Sequence, residues 1–197
     1  MIEQAVILAD ISGGSGRPGD PHQVLFGLTL LERTVLALGY GGIRRILVLG
    51  GDADRLRLAR LEADERLKRL GTALTWAAAG DATTALPLAR APFLLLGGTV
   101  VFTAALVGEV RGLPVDRDRL LAPENAAGSG RCFSGLAVCR AEMLPRLLSL
   151  GADPFRAEGL NGLFASAAGE ALPVRGHSWI MVGAQGTVAQ ARRLLQR

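Results

Sequence analysis

Residues 5–51 read AVILADISGGSGRPGDPHQVLFGLTLLERTVLALGYGGIRRILVLGG. This order predicts a short buried strand (AVILAD), a glycine-rich loop (ISGGSGRPGDPHQ), an apolar helix within VLFGLTLLERTVLALGYGG and a second strand (IRRILVLGG). Glycines that directly follow a buried parallel strand allow backbone N–H groups to turn toward an anion. The segment therefore predicts a phosphate-binding loop. No lysine precedes Lys68, so the loop has to rely on Arg17 to neutralise a triphosphate.

Outward from this segment, apolar and amphipathic stretches alternate along the chain. LTWAA and FLLLGG are predicted strands, DADRLRLARLEADERLKRL and TAALVGEVRG are predicted helices, and TTALPLAR is a predicted short helix. The alternation indicates a doubly wound, mainly parallel sheet with helices on both faces. After a loop-rich stretch at residues 113–131, we expect a strand at GLAVC, two helical stretches, a strand at ALPV, and a closing strand, turn and helix.

Composition limits the classes of protein that this chain can be. A length of 197 residues, 49% hydrophobic and 20% charged, predicts a single folded domain over residues 1–197 with an aliphatic core. The net charge is +4, but the basic residues are scattered among acidic ones, so nucleic-acid binding is not expected. The amino terminus carries Glu3 and no basic flank, which argues against a signal peptide and for a cytoplasmic protein. Residues 91–108 are uncharged, yet their central Gly97-Gly98 favours a strand, a turn and a helix over a membrane span.

One spacing in the loop suggests a dinucleotide site. Gly14, Gly16 and Gly19 match G-x-G-x-x-G after a predicted strand. However, the prolines of the loop lie where such a fingerprint would already be helical, and no acidic residue ends the next strand, because Asp52 comes too late. This spacing therefore does not predict NAD or FAD binding.

Several stretches, in the same order as in a known family, carry a broader resemblance. They are AVILAD with GSGR, GLTLLERTVLALGYGGIRRILVLGG, GDATTALPLARAPFLLLGG, SGLAVC and SWIMVGAQGTVAQARRLLQR. On these stretches the chain resembles the GT-A-like nucleotidyltransferases, above all the inositol-1-phosphate and sugar-phosphate cytidylyltransferases, with molybdopterin-type nucleotidyltransferases as more distant relatives. The resemblance covers nearly the whole chain. It implies a Rossmann-like, three-layer α/β/α fold with a mainly parallel mixed sheet, and an activity that joins a nucleoside triphosphate to a sugar or polyol phosphate.

The resemblance also implies where a nucleotide and its acceptor would bind. Arg17 and Asp10 are the candidates for a catalytic role, and Ser134 and Gly135 match the small acceptor-side residues of the family, although core packing explains these two equally well. The implied nucleotide-binding residues are Ala9, Asp10, Gly13, Gly14, Ser15, Gly16, Arg17, Gly80, Asp81 and Thr83.

The sequence departs from the family at the charged positions. The loop lysine of the family is replaced within residues 19–23, which read GDPHQ. The aspartate expected after the central strand is Thr99, and a Trp-x-Asp-x-Asp arrangement is represented by Trp179, Met181 and Gly183. Mg²⁺ takes hard oxygen ligands, which these residues do not supply. We therefore expect no metal site and no cofactor, with Mg²⁺ required only if the protein is active.

Other acidic residues have structural and functional interpretations. Asp10 fits a loop or helix cap, with a relocated metal or ligand contact as the alternative, and Asp81 fits an N-cap of the short helix. Asp116 and Asp118 alternate with arginines, which indicates a solvated charged loop. We expect Cys132 and Cys139 to be reduced thiols in the core. We expect His22 and His177 to lie at the surface and Trp179 to pack the closing helix.

Two hypotheses for function remain open. In the first, the protein is a catalytically degenerate nucleotidyltransferase that binds a nucleotide or a protein partner. In the second, it is an active enzyme with metal ligands relocated to Asp10 or Asp81 and with Arg17 as the phosphate clamp. Because relatives are often joined to a membrane phosphatidyltransferase-like domain, the resemblance implies such an enzyme as a partner, on a separate polypeptide. Relatives often dimerise, and the apolar composition allows a homodimer without requiring one.

Overall fold

A computed structural model describes residues 1–9, 23–78, 81–85, 91–123, 133–149, 157–165, 172–175, 179–183 and 187–196. The strands are β1 (Gln4–Leu8), β2 (Val24–Leu25), β3 (Leu28–Thr29), β4 (Arg45–Gly50), β5 (Ala73–Ala78), β6 (Phe93–Gly97), β7 (Val100–Val101), β8 (Arg119–Pro123), β9 (Leu136–Cys139), β10 (Leu172–Val174) and β11 (Ile180–Met181). The helices are α1 (Leu30–Tyr40), α2 (Asp52–Glu62), α3 (Glu65–Leu70), α4 (Ala82–Ala85), α5 (Ala104–Val110), α6 (Met143–Leu148), α7 (Ala157–Ala165) and α8 (Val188–Leu195).

The longer strands form one seven-stranded sheet in the order β10-β8-β9-β6-β1-β4-β5. β1 pairs in parallel with β4 and with β6, β4 pairs in parallel with β5, and β10 pairs in parallel with β8. β9 is antiparallel to both of its neighbours, β6 and β8. The predicted mainly parallel, mixed α/β sheet is confirmed. Because β1 and β6 are neighbours near its centre, their carboxyl ends meet in the middle of one sheet edge.

Aliphatic side chains fill the core, as the composition predicts. Ile7, Leu8, Leu95 and Leu96 of the two central strands are fully buried. The uncharged residues 91–108 form β6, β7 and the start of α5, which confirms the predicted strand, turn and helix. No helix among the described parts of the chain has the length and apolar character needed to cross a membrane.

A hairpin precedes α1, where the sequence predicts helix. β2 and β3 pair antiparallel around Phe26 and Gly27, whose φ angles are 49° and 79°. Two successive positive φ angles produce the tight turn that fits the twist of a hairpin. The helix then begins after Thr29, whose side chain accepts a hydrogen bond from the backbone N–H of Glu32 at 3.1 Å, while the Glu32 carboxylate accepts one from the backbone N–H of Thr29 at 2.7 Å. This reciprocal capping box fixes the start of α1.

The sequence predicts one amphipathic helix over residues 52–70, and this prediction is wrong. The structure ends α2 at Glu62 and starts α3 at Glu65. Asp64 caps the second helix, because its Oδ1 accepts a 2.8 Å hydrogen bond from the backbone N–H of Arg66. The same carboxylate accepts hydrogen bonds from the Arg66 guanidinium. These bonds, the guanidinium bond first, hold the pKa of Asp64 down at about 2.

This cap predicts an acid-sensitive contribution to stability. The pKa of Asp64 is below the unfolded value of about 3.9, so its contribution is complete above pH ~4 and is lost as the pH falls toward 2. We expect Asp64→Ala to lower the melting temperature at pH 7, and we expect the gap from wild type to narrow between pH 4 and pH 2.5. Circular dichroism melts at several pH values measure this gap. Asp64→Asn is the matched control, since asparagine keeps the cap without the charge; a gap for Asp64→Ala that does not change with pH would contradict the assignment.

The loop-rich stretch predicted at residues 113–131 contains a strand. β8 pairs antiparallel with β9 through Arg119 with Val138 and through Leu120 with Ala137, and Leu121 lies opposite Leu172 of β10. Charged residues before Leu120 hide the apolar pattern of so short a strand. The sheet therefore continues past β9 to two further strands.

Candidate functional site

The carboxyl ends of β1 and β6 approach each other closely at the centre of the sheet. The backbone N–H of Gly98 donates to the carbonyl of Leu8 at 2.7 Å, and the N–H of Ala9 donates to the carbonyl of Leu49 at 2.9 Å. A Cβ at Gly98 would lie 2.8 Å from the carbonyl oxygen of Ala9. Ala9 itself is fully buried. The predicted phosphate-binding loop therefore leaves the sheet from a tightly packed point beside the end of β6.

Most of the predicted phosphate-binding residues lie outside the described residues. The expectations for these residues stay predictions; they are Asp10, Gly13, Gly14, Ser15, Gly16, Arg17 and Gly80. The same holds for His22, Cys132 and His177, which also lie outside the described residues.

Asp81 follows β5 and caps α4, which confirms its predicted structural role. Its Oδ1 accepts hydrogen bonds from the backbone N–H groups of Thr83 at 3.0 Å and Thr84 at 3.2 Å, and its Oδ2 accepts one from the Thr84 hydroxyl at 2.7 Å. The hydroxyl bond first, followed by the backbone bonds, lowers the pKa of Asp81. Both carboxylate oxygens are therefore engaged in local hydrogen bonds.

Two segments that are far apart in the sequence meet beside Gly98. β7 pairs antiparallel with β11, so that Val100 lies opposite Met181. The backbone N–H of Val182 donates to the carbonyl of Thr99 at 3.1 Å, which extends the pairing by one residue. Thr99 is 4% exposed and Met181 is 6% exposed. The structure thus brings together the two positions at which carboxylates would be expected and finds a buried threonine and a buried methionine there.

Ser134 and Gly135 lie next to this pairing, at the start of β9. The Ser134 hydroxyl donates to the carbonyl of Leu121, and the Ser134 carbonyl accepts a 3.1 Å hydrogen bond from the indole N–H of Trp179. The Gly135 carbonyl accepts from the N–H of Gly97 at 3.0 Å. The expectation that Trp179 only packs the closing helix missed this hydrogen bond. The hydroxyl and the carbonyl of Ser134 are therefore both engaged within the protein.

Solved structures of two other proteins share this architecture. The inositol-1-phosphate CTP transferase from T. maritima superposes with a TM-score of 0.62 at 12% identity, over 100% of this chain and 97% of that one. This chain has the nucleotidyltransferase fold. A putative glucose-1-phosphate thymidylyltransferase from Bacillus anthracis, solved in complex with a sucrose, gives the same TM-score and identity over 98% of this chain and 95% of its own. No protein-family model matches the sequence, and no curated protein matches it.

Because the chain has the nucleotidyltransferase fold, we ask whether the side chains at the β7–β11 pair could bind Mg²⁺. A Mg²⁺ site needs hard oxygen ligands, usually with one or two carboxylates. Thr99 offers a hydroxyl, Met181 a soft thioether, and Gly183 no side chain. These residues do not fit Mg²⁺. Within the described ranges, no three His, Cys, Asp or Glu side chains lie close enough together to hold a metal ion.

Of the two acidic residues before β8, one is exposed to solvent and the other is buried. Asp116 is exposed, as expected, and it pairs with Arg119. Asp118 is 5% exposed, and its Oδ1 accepts a 2.7 Å hydrogen bond from the backbone N–H of Arg140, so the prediction of a solvated residue is wrong for Asp118. The bond satisfies an amide at the end of β9 that would otherwise lack a partner. Next to it, Cys139 is a free buried thiol, as predicted, and burial first and the charge of Asp118 second raise its pKa.

Proposed function

We propose that this protein is a catalytically degenerate relative of the sugar- and polyol-phosphate cytidylyltransferases, and that it acts by binding a nucleotide or a protein partner. The pairing of β7 with β11 carries the proposal. It places Thr99, Met181 and Gly183 together, which supports their equivalence to the carboxylate positions of the family. None of the three supplies the carboxylate that usually holds Mg²⁺ against phosphate oxygens.

The second element of the proposal is the loop at residues 10–22. It carries Arg17 but no lysine, so the charge that it offers to a triphosphate is reduced. Loss of one electrostatic contact to a developing charge costs a factor of about 10²–10³ in rate. Binding suffers less than catalysis, because backbone N–H groups supplied by glycines still contact phosphates. A domain of residues 1–197 that binds without turnover, in the cytoplasm, would serve a regulatory or scaffolding role, for example toward a membrane phosphatidyltransferase-like enzyme or a second copy of itself.

The alternative is an active nucleotidyltransferase with relocated metal ligands. In that reaction an acceptor phosphate oxygen bonds to the α-phosphorus of the triphosphate, and pyrophosphate leaves. Asp81 is a poor relocated ligand, since both of its oxygens already accept hydrogen bonds from Thr83 and Thr84. The alternative therefore depends on Asp10.

Calorimetric titration with CTP, with and without Mg²⁺, tests the proposal. We expect the dissociation constant for CTP to be the same under both conditions, and no pyrophosphate release with inositol 1-phosphate or sugar 1-phosphates. Arg17→Gln should weaken CTP binding by about tenfold, the effect of one lost charge-assisted hydrogen bond. Arg193→Gln, on the exposed side of α8, is the charge-matched control and should leave CTP binding unchanged.

Each other outcome also decides between the hypotheses. Turnover that depends on Mg²⁺ and disappears in Asp10→Ala would refute the degenerate assignment and support the enzyme. If CTP and other nucleoside triphosphates neither bind nor turn over, nucleotide binding is excluded and the protein-partner branch of the proposal remains. A pull-down that returns no membrane enzyme would argue against the particular partner suggested above.

A further inference from the structure

A groove runs along one face of α1, beside the β7–β11 pair. Arg33, Ala37 and Tyr40 line one wall at helical spacing, and residues 100–104 line the opposite wall. The cavity volume is about 320 Å³, within the size range of small-molecule sites. Its described lining is mostly aliphatic, and the face from residue 33 to residue 40 extends about 10 Å along the helix axis. The groove has the size and polarity for a small, elongated apolar molecule.

The charged side chains that line the groove are both arginines. Arg66, near Tyr40, is already paired with Asp64 at 2.6 Å. Arg33, at the other end, donates to the carbonyl oxygens of Leu25 at 2.5 Å and Phe26 at 3.0 Å, and no described carboxylate pairs with it. Half-burial without a counter-ion is costly for a guanidinium. One end of the groove therefore carries a positive charge that no described carboxylate neutralises.

A second arginine strengthens this positive end. The guanidinium carbons of Arg33 and Arg192 lie 5.6 Å and 5.9 Å from the centroid of the same ring, that of Phe26. Among the residues that the structure describes, Arg192 has no acidic partner either. Phe26 is 54% exposed and has a positive φ angle, an uncommon backbone conformation for a bulky residue. Leu195, one helical turn after Arg192, lines the groove itself.

From this arrangement we propose that the groove binds a free anionic amphiphile, with a fatty carboxylate as the ligand class. The apolar tail lies between α1 and residues 100–104, and the carboxylate lies at the Arg33 and Arg192 end. The two guanidiniums supply the attraction for the anion, and the aliphatic walls supply the burial. The groove shares Val100 and Val101 with the β7–β11 pair, but the binding of this ligand does not depend on the proposed nucleotide binding.

Calorimetric titration with decanoate below its critical micelle concentration tests this proposal. We expect saturable binding with one site per chain. Decanol, which has the tail without the charge, should bind at least tenfold more weakly. Arg192→Gln should weaken decanoate binding by about fivefold, as expected for one partly exposed ion pair. Equal binding of decanol and decanoate, or no binding of decanoate, would overturn the proposal.

A matched pair of variants on α5 locates the site. Ala104 lines the groove, whereas its neighbour Ala105 is exposed and does not. Ala104→Leu should fill the groove and abolish decanoate binding, and Ala105→Leu should leave it unchanged, with thermal melts showing that both variants fold. Unchanged binding by Ala104→Leu would place the ligand elsewhere and refute the site. Co-sedimentation with phosphatidylglycerol vesicles distinguishes a free anionic amphiphile from an anionic lipid within a membrane. Binding to the vesicles without binding to decanoate would also overturn the proposal.

Discussion

Trp179→Ala should lower the free energy of unfolding by about 3–5 kcal/mol, the usual loss for a large aromatic side chain truncated in a core. Trp179 is 4% exposed, and its indole N–H donates to the Ser134 carbonyl, so the substitution both opens a cavity and leaves a buried carbonyl without its partner. Because this bond joins the segment before β11 to the start of β9, the loss should reach the whole sheet. Urea denaturation followed by circular dichroism measures it.

Trp179→Phe separates the hydrogen bond from the packing. It keeps most of the ring and removes the donor, and it should cost about 1–2 kcal/mol beyond the loss of ring volume. Trp76→Phe is the matched control, since the indole N–H of Trp76 is buried without a hydrogen-bond partner among the described residues. If the two Trp→Phe substitutions cost the same, the Trp179–Ser134 bond contributes nothing to stability.

Gly135→Ala should lower the free energy of unfolding by about 3 kcal/mol. Gly135 has a φ angle of 95°, and a Cβ there would lie 2.4 Å from Cγ2 of Val100 and 3.3 Å from the sulfur of Met181. Backbone strain of about 1 kcal/mol and overpacking of about 1–3 kcal/mol add at this position. The same urea titration gives the value.

Gly27→Ala isolates the strain part of this effect. Gly27 also has a positive φ angle, 79°, but a Cβ there would meet nothing within 4 Å. It should therefore cost about 1 kcal/mol. Gly108→Ala, in the exposed helical position with no positive φ and no neighbour within 4 Å, should instead stabilise the protein by about 0.5–1 kcal/mol. Equal losses for Gly135→Ala and Gly27→Ala would mean that Val100 and Met181 move aside without cost.

The sequence was sufficient where hydrophobic pattern and burial agree. The runs that became β1, β4 and β6 are short, aliphatic and bounded by glycine or charge, so their strand assignment and parallel order were predictable. The Asp81 cap was also predictable, because an acidic residue two and three positions before Thr83 and Thr84 can accept hydrogen bonds from the free N–H groups at the start of a helix.

The errors have local physical causes. The hairpin at Val24–Thr29 turns on Phe26 and Gly27. Because phenylalanine rarely takes a positive φ, Gly27 is only a weak signal of this turn. The α2–α3 break depends on one carboxylate, Asp64, within a stretch of uniform amphipathic pattern. Asp118 is buried because it satisfies an amide at Arg140, which lies in a different part of the chain. Such long-range pairings are not encoded in any short window.

The same limit applies to the candidate site. Resemblance relates Thr99 to Met181, but only the antiparallel pairing of β7 with β11, which sets Met181 opposite Val100, brings their two segments together. Arg33 was not singled out, although one arginine within the apolar stretch LTLLERTVLAL was a usable signal. Its role depends on the hairpin carbonyls and on Phe26, which lie in a stretch that the sequence predicts as helix.

The pairing of β7 with β11 also has a kinetic consequence. Residues 100 and 181 must find each other across most of the carboxyl-terminal half of the chain, and closing so long a loop is entropically unfavourable until other contacts are in place. We expect the parallel strands β1, β4 and β6 to assemble first and this small antiparallel pair to form late. Local opening in the native state should then begin at β11. Hydrogen exchange should accordingly be faster at the Val182 amide than at the amides of Ile7 and Leu95.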